Sequence, residues 1–285
     1  MEADENRILQ RLQEWADKEG ELPEFLALYR DLLSVQSGAK ARIAVKSSPS
    51  SEVASERQGR GEPVLHFDEI AFDWDLLTEM LRKVVGILAR HKVFGAAEAE
   101  AIERVADAPS SLEEASMSFY EGRPVSGIGG AAPRPDALQT VVQIVLWPFL
   151  SRYSEALSPL VQQEAWVRGA CPICGGRPDF GFLEKEVGAR WLLCSRCDAR
   201  WLFRRLECPY CGNRDEEKLS YLASENGLYR LYLCDVCREY LKVMDLRKTE
   251  SEVVLPLERL LTMDMDRQAH EAGYGPHRAR GPLHS

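Results

Sequence analysis

The residues best suited to chemistry are eight cysteines, which form four CxxC pairs between residues 171 and 237. The two residues inside a CxxC turn aim both sulfurs inward, so that two thiolates can bind one tetrahedral cation at metal–sulfur distances of about 2.3 Å. Four pairs therefore supply the ligands for two cations. The candidate ligands are Cys171, Cys174, Cys194, Cys197, Cys208, Cys211, Cys234 and Cys237.

The first and third pairs share the pattern CPxCG, as CPICG at 171–175 and CPYCG at 208–212. The proline stiffens the turn, and the glycine allows a backbone conformation that points amide hydrogens at the sulfurs. Such N–H donors stabilise thiolates and tune the potential of a redox-active metal. The pattern is typical of metal-binding knuckles.

An internal repeat predicts which pairs share a cation. Each half runs CPxCG, a hairpin, a strand ending in LCxxC, and then an aromatic residue and a leucine. A duplicated unit should be complete in itself, which groups the first pair with the second and the third with the fourth. The spacings are then C-x2-C-x19-C-x2-C and C-x2-C-x22-C-x2-C, close to those of zinc ribbons. An interleaved cross-brace is the alternative.

Zinc and iron both accept a tetrahedral four-sulfur site, and the residues alone do not choose between them. Zinc would have a purely structural role and stabilise the fold of the ribbons, whereas iron would add one-electron redox chemistry. A thioredoxin-like redox enzyme would need βαβ surroundings, which the sequence does not show. A four-iron cluster takes a more crowded cysteine run. The histidines lie away from every CxxC pair and are expected at the surface, at His66, His91, His270, His277 and His284.

Composition narrows the function classes. The chain has 285 residues, a formal net charge of -9 and a pI of about 5.3, which disfavours attraction of the whole molecule to nucleic acid or an anionic membrane. The N-terminus lacks a secretory pattern. The longest apolar run, at 141–150, is shorter than the roughly 20 residues of a membrane span. A cytoplasmic protein with reduced thiols is expected.

A nucleic-acid-binding zinc ribbon is the alternative function, because four arginines cluster around Trp201 and Phe203. Residues 168–250 carry 15 Lys and Arg against 13 Asp and Glu. Eight thiolates with two divalent cations turn that formal +2 into -2, which is not the positive excess that phosphate binding requires. The arginines are better interpreted as a protein-docking face or a solvated one, at Arg196, Arg200, Arg204 and Arg205.

Apolar residues at helical spacing predict a helical bundle before residue 165. Helices are predicted at 6–17, 26–33, 72–89 and 96–107. Another should begin at Ser111, which forms a capping box with Glu114. A long buried helix is predicted at 137–157, with a kink at Pro148. Residues 37–62 are rich in Ser, Gly and charge and predict a mobile linker or long loop. The glycines at 127–136 do not follow a strand, which favours a plain helix connection over a phosphate-binding loop.

After residue 166, short apolar runs between the CxxC pairs predict β-hairpins. One hairpin should turn near Glu186 to Gly188, and another at Asn226-Gly227, a pair favoured in type I′ turns. The predicted fold class is α plus small β, with a helical domain at 1–167, four-cysteine ribbons at 168–206 and 207–250, and a C-terminal helix and flexible tail at 251–285.

The segments WVRGACPICGGRPDF, RWLLCSRCDARWLFRRLECPYCGN and YRLYLCDVCREYLKVMD, followed by a closing helix and EAGYG, resemble the formate dehydrogenase accessory protein family FdhE. The resemblance covers the order and spacing of all four pairs. The segment at 37–61 and the ending HRARGPLHS match no family signature.

The resemblance implies a cytoplasmic maturation factor that turns over no substrate. It implies two rubredoxin-like domains whose eight cysteines bind two metal ions, with iron favoured and zinc the alternative. It also implies binding to the catalytic subunit of formate dehydrogenase, whose active site contains molybdenum or tungsten. The sequence leaves a homodimer open.

Overall fold

Periodic apolar residues build the helices of the first unit. The computed structural model describes residues 4–125 and 133–275, and the chain divides into two compact units, Met1–Ser47 with Phe67–Tyr153 and Ser48–His66 with Ser154–Ser285. The helices before residue 160 are α1 (Asp4–Glu19), α2 (Glu24–Lys40), α3 (Ser51–Arg60), α4 (Trp74–Arg90), α5 (Ala96–Ala106), α6 (Pro109–Tyr120) and α7 (Pro135–Leu157).

Helix α4 lies in the middle of the first unit and packs against α2 and α5. Its inward face carries Leu77, Leu81 and Val84, which are fully buried, and each such side chain contributes about 1.5–3 kcal/mol through burial. Asp73 caps the helix by accepting a hydrogen bond from the Leu76 N–H at 2.9 Å. The predicted long buried helix is confirmed as α7, which continues through Pro148.

Two helix predictions need correction. The segment 37–62 was predicted as a linker or loop, yet α2 extends to Lys40 and residues 51–60 form α3. The Ser50 hydroxyl caps α3 at the Val53 N–H, and Gly61, with φ +76°, ends it. Helix α6 begins at Pro109, so Ser111 is inside the helix and is not its cap; a proline at the first position has no N–H to satisfy.

A six-stranded sheet forms the centre of the second unit, in the order β3-β2-β1-β6-β5-β4. The strands are β1 (Pro178–Leu183), β2 (Arg190–Cys194), β3 (Arg200–Phe203), β4 (Leu219–Ala223), β5 (Tyr229–Cys234) and β6 (Glu239–Asp245). Neighbours are antiparallel except β1 and β6, which pair in parallel from Phe180 beside Lys242 to Leu183 beside Asp245. Both predicted ribbons therefore belong to one sheet.

The second hairpin does not have the predicted type I′ turn. That turn needs positive φ at both central residues, whereas Gly227 has φ +68° and Asn226 is not among the residues with positive φ. Residues 224–228 connect the strands instead. The Asn226 side chain accepts hydrogen bonds from the Leu228 N–H at 3.0 Å and from the Ser224 hydroxyl at 2.8 Å, which holds the longer loop.

The C-terminal region forms two short helices, α8 (Leu255–Leu261) and α9 (Met263–Glu271). The predicted α plus small β class is confirmed. The boundaries of the four predicted domains stay a prediction. The predicted glycine-rich connection at 127–136 lies largely outside the described residues. The flexible tail was predicted from His270, yet α9 continues to Glu271 and the buried Tyr274 donates a hydrogen bond to Asp235 at 2.6 Å; the predicted tail from residue 276 onward lies outside the described residues.

Candidate metal centres

The first four-cysteine cluster is buried and closely spaced. Cys174 Sγ lies 3.6 Å from Cys194 Sγ and 3.5 Å from Cys197 Sγ, and Cys171 Sγ lies 3.7 Å from Cys197 Sγ. All four side chains are at most 2% exposed. Residues from two CxxC turns thus place four sulfurs around one point.

The second cluster has similar spacing but more access to solvent. Cys208 Sγ lies 3.7 Å from Cys237 Sγ, and Cys211 Sγ lies 3.7 Å from Cys234 Sγ. Cys208 and Cys234 are buried, Cys237 is half-buried and Cys211 is exposed. The two clusters therefore differ in how easily a solute can reach their sulfurs.

The sulfur spacing fits a tetrahedral metal. Metal–sulfur bonds of about 2.3 Å give sulfur–sulfur edges of about 3.8 Å in a regular tetrahedron, and the observed distances are 3.5–3.7 Å. The sulfurs of each cluster all lie within 4.8 Å of one another. The predicted grouping is confirmed, and the interleaved cross-brace is wrong.

The backbone after each second cysteine adopts the left-handed conformation that a metal-binding knuckle uses. The φ angles are +68° at Gly175, +56° at Asp198, +71° at Gly212 and +59° at Arg238. In the first cluster, the Ile173 N–H donates to Cys171 Sγ and the Arg196 N–H donates to Cys194 Sγ, both at 3.4 Å. Such bonds stabilise thiolates, as the CPxCG pattern predicts.

Without a cation, the sulfurs of each cluster compete for protons. In the first cluster, burial raises the pKa of Cys171 and Cys197 well above the usual range, while hydrogen bonding from Cys171 lowers the pKa of Cys174. In the second, burial raises the pKa of Cys211 to about 11, and a hydrogen bond from Cys208 lowers the pKa of Cys237 to about 6. A bound cation would stabilise four thiolates together and release protons.

A segment distant in sequence supports the first knuckle. The Val64 N–H donates to the Pro172 carbonyl at 2.8 Å, and the Leu65 N–H donates to the Ile173 carbonyl at 2.9 Å. These residues follow α3 and lie just beyond the segment 37–62 that was predicted as a linker or loop. Only their apolar character, between Pro63 and His66, signals an ordered segment.

Arg190 connects the first ribbon to the second and was not identified from the sequence. This β2 residue is 2% exposed and donates through Nη2 to the Glu207 carbonyl at 2.5 Å and to the Arg204 carbonyl. Its guanidinium lies 5.3 Å from the Phe203 ring and 5.5 Å from the Tyr232 ring. The chain that leads into Cys208 is therefore held by an arginine of the preceding repeat.

Of the other candidate residues, Arg196 contacts a sulfur through its backbone N–H, whereas Arg204 and the described histidines do not join either cluster. Arg204, part of the predicted arginine cluster, forms an ion pair with Glu207 at 3.2 Å. His91 contacts Asp31 at 3.0 Å, and His270 packs edge-on against Tyr240. No histidine among residues 4–125 and 133–275 joins either cluster, and His277 and His284 lie outside those ranges.

Among the helices that the structure describes, none has the length and apolar character required to cross a membrane.

Comparisons with known proteins agree with this architecture. A family profile described as the central domain of FdhE matches residues 170–205, which contain the first cluster. A protein named Protein FdhE homolog from Aquifex aeolicus (strain VF5) is 29% identical over 222 residues, covering 76% of this chain and 73% of that relative. A protein of the same name from Shewanella oneidensis is 25% identical over 285 residues, covering 95% of this chain and 85% of the relative.

A solved structure shares the fold. The crystal structure of the FdhE protein from Pseudomonas aeruginosa has a TM-score of 0.68 and 22% sequence identity, and the match covers 99% of this chain and 96% of that chain. The family profile lies on the first ribbon, and the homologs align with most of the chain. The chain is thus similar to FdhE proteins over most of its length, and the FdhE central-domain profile matches its first ribbon.

Proposed function

We propose that this protein is a non-enzymatic maturation factor for formate dehydrogenase and that it binds the catalytic subunit of that enzyme through its double ribbon. The observation that carries the proposal is the pair of four-cysteine clusters on a single sheet. The similarity of the chain to FdhE proteins, a family of accessory proteins, supports an assembly role over catalysis.

The eight cysteines of the two clusters are the proposed ligands of two metal ions, with iron favoured and zinc the alternative. Iron in such a site would supply one-electron redox chemistry. The protein's own residues would hold the thiolates in place. The N–H groups of Ile173 and Arg196 stabilise negative charge on sulfur, and the sheet fixes the spacing of the ligands.

Anaerobic purification followed by metal analysis and a visible spectrum tests the identity of the metal. We expect two iron atoms per chain and, after oxidation, a red ferric-thiolate chromophore. Stoichiometric colourless zinc would contradict the iron proposal and leave a structural role for the ribbons. The double variant Cys174→Ser with Cys211→Ser is the control, and should lose metal from both clusters.

Anaerobic affinity purification from the native host tests the partner. We expect the catalytic subunit of a formate dehydrogenase to co-purify with the protein and to be lost with the Cys174→Ser, Cys211→Ser variant. Capture of that subunit with equal yield by the metal-free variant would show that the ribbons are not the binding surface. If no formate dehydrogenase co-purifies, the proposed function is wrong.

We propose a cytoplasmic location, consistent with reduced cysteines. The alternative of a nucleic-acid-binding zinc ribbon has less support, because Arg204 is paired with Glu207. Retention on heparin tests it: we expect elution below about 0.15 M salt, a concentration at which surface charges are screened beyond roughly 8 Å. If the protein stays on heparin above that salt concentration, and the Arg204→Ala, Arg205→Ala variant does not, the result would favour nucleic-acid binding.

A further inference from the structure

The two edges of the six-stranded sheet are treated differently. An edge strand presents a row of unpaired N–H and C=O groups, which proteins usually cover or block. Strand β3 is covered by one side chain, because Gln163 accepts a hydrogen bond from the Leu202 N–H at 3.1 Å and donates to the Arg200 carbonyl at 3.5 Å. The Gln163 amide thus occupies the position of a neighbouring strand.

Strand β4, at the opposite edge, has no such cover among the described residues. The Asp235 N–H donates to the Lys218 carbonyl and the Ser224 N–H donates to the Tyr229 carbonyl, both at 2.9 Å. In an antiparallel pair of strands, every second residue hydrogen-bonds to the partner strand. Because Lys218 and Ser224 both bond in this way, the residues of β4 that bond to β5 are Ser220 and Leu222. Tyr221 and Ala223 therefore direct their N–H and C=O groups away from the sheet.

The side chains of β4 do not protect this edge either. The strand LSYLA contains no proline and no charged residue, although these are common devices for blocking an edge. Tyr221 is 50% exposed and Leu222 is 52% exposed. A five-residue edge with open backbone groups and half-exposed apolar side chains is suited to pairing with an extended peptide.

A cavity of about 360 Å³ lies next to this edge, within the usual range for a binding pocket. Tyr221 and Tyr232 form part of its floor, with ring centroids 5.5 Å apart, and Leu206 and Pro209 belong to its wall. Cys208 and Cys234 of the second cluster also line it. The cavity therefore extends from the open edge to two cysteines of the second cluster.

Two of the buried charges around the cavity are paired within the protein, and the third, on Arg190, lies near Cys208 of the second cluster. This arrangement favours an uncharged occupant. Arg230 is paired with Asp245 at 2.7 Å, and Glu207 is paired with Arg214 at 2.7 Å. Buried Arg190 donates to backbone carbonyls and lines the cavity together with Cys208. Four thiolates around a divalent cation carry a formal charge of about −2, so that a metal-loaded cluster would complement Arg190. An added anion would then be repelled by the thiolates.

We propose that an extended segment of a partner protein adds to β4 as a seventh strand and inserts an apolar side chain into the cavity beside the second cluster. The inference rests on the proposed function, in which the partner is the catalytic subunit of formate dehydrogenase. Residues directly opposite in a ladder share one face. The partner residue opposite Tyr221 is therefore the one that enters the cavity.

Hydrogen exchange of the metal-loaded protein, alone and with the purified catalytic subunit, tests this docking site. We expect the amides of Tyr221 and Ala223 to exchange at least about tenfold more slowly in the complex, because they gain hydrogen-bond acceptors. A complex that forms without protecting these amides would overturn the docking site while leaving the proposed function intact. Failure to form any complex would instead contradict both.

The Ala223→Pro variant tests the same surface by binding. Its proline removes an N–H that does not bond to β5, and proline is tolerated on the solvent side of an edge strand. We expect about tenfold weaker binding of the catalytic subunit, with metal content and circular dichroism unchanged. Unchanged affinity would overturn the proposal.

A pair of charge variants keeps the test independent of proline. Tyr221→Asp places a charge at the mouth of the cavity, whereas Val187→Asp places the same charge on an exposed turn of the first ribbon. We expect only Tyr221→Asp to weaken binding. Equal effects of the two variants on binding would contradict the proposal. Hydrogen exchange of the protein alone gives a further check. If β4 becomes more protected as the protein concentration rises without the partner, a second copy of the chain occupies the edge and the proposal is wrong.

Discussion

The residue that follows the second cysteine of each pair has a left-handed backbone, yet it is glycine in only two of the four knuckles. A side chain in this conformation costs about 1–2 kcal/mol. Asp198 offsets that cost by accepting a hydrogen bond from Arg259 at 3.0 Å, and the Arg238 guanidinium lies 4.1 Å from the Tyr274 ring. The second and fourth knuckles thus depend on contacts with the C-terminal region.

Gly212→Ala isolates the backbone cost. A Cβ atom at this position would have no heavy atom within 4 Å, so that only the left-handed conformation, with φ +71°, opposes the change. We expect the free energy of unfolding of the metal-loaded second unit to fall by about 1 kcal/mol, as measured by chemical denaturation.

Gly59→Ala is the matched control for this substitution. Gly59 lies in α3 of the same unit, also with no heavy atom within 4 Å of an added Cβ, but in helical conformation. Alanine should stabilise it by about 0.5–1 kcal/mol. Equal effects of the two variants would contradict a conformational origin.

Local sequence patterns were sufficient for the cysteines but not for their supports. The CxxC spacing and the duplicated order predicted both clusters, because ligand turns and hairpins are short-range features. Asp198 and Arg238 gave no signal, since neither is glycine, and their partners Arg259 and Tyr274 lie 36 or more positions further along the chain. Arg190 could not be identified either, because its acceptors are backbone carbonyls, which every residue type carries.

At the scale of elements, two ribbons become one sheet through the parallel pairing of β1 with β6. At the end of β6, the fully buried Asp245 pairs with Arg230 and Arg247 at 2.7 Å, which stabilises the second ribbon beside this junction. Arg190 and Gly169 add two further connections between the first repeat and the chain around Cys208. Each of these two connections gives a testable prediction.

Gly169→Ala is a change in the first ribbon that should disturb the second cluster. An added Cβ would lie 1.7 Å from the Pro209 carbonyl oxygen, so that the backbone of the CPYCG knuckle would have to move. We expect metal analysis to show loss from the second site and retention in the first. Gly212→Ala is the control, because it changes the same knuckle without this clash and should keep both ions. If Gly169→Ala also keeps two firmly bound ions, the knuckle tolerates the displacement and the prediction is wrong.

Arg190→Met should destabilise the junction of the two ribbons. The change leaves the carbonyls of Arg204 and Glu207 without their buried donor, at a cost of about 1–3 kcal/mol. Denaturation of the metal-loaded protein measures this loss. The exposed Arg205 of the same loop provides the control, since Arg205→Met should change stability by less than about 0.5 kcal/mol; equal stability of the two variants would argue against a role for the buried guanidinium.

At the scale of the whole molecule, the sequence predicted the order of helices, ribbons and C-terminal helix but not how distant segments combine. Residues 48–66 belong to the second unit because Val64 and Leu65 bond to the first knuckle, a pairing across more than 100 positions that no local pattern reveals. The parallel contact of β1 with β6 joins residues that are 62 positions apart, as in Phe180 beside Lys242. The signals for α3 were present in Ser50 and Gly61, but the polar composition between them favoured a loop.

The different exposure of the two clusters predicts that a chelator removes their metals in two phases. Cys211 is exposed and Cys237 half-buried, whereas every sulfur of the first cluster is buried, so the second site should lose its ion first. Ribbons with little core of their own depend on metal for folding, and we expect hydrogen exchange to show unfolding within residues 168–250 while α4 and α7 remain protected. Metal release is followed with a colorimetric indicator. The Cys211→Ala variant should lack the fast phase of metal release, and the Cys194→Ala variant should lack the slow phase. A single phase in the unaltered protein would contradict the prediction and would mean that the shared sheet makes the loss of the two ions cooperative.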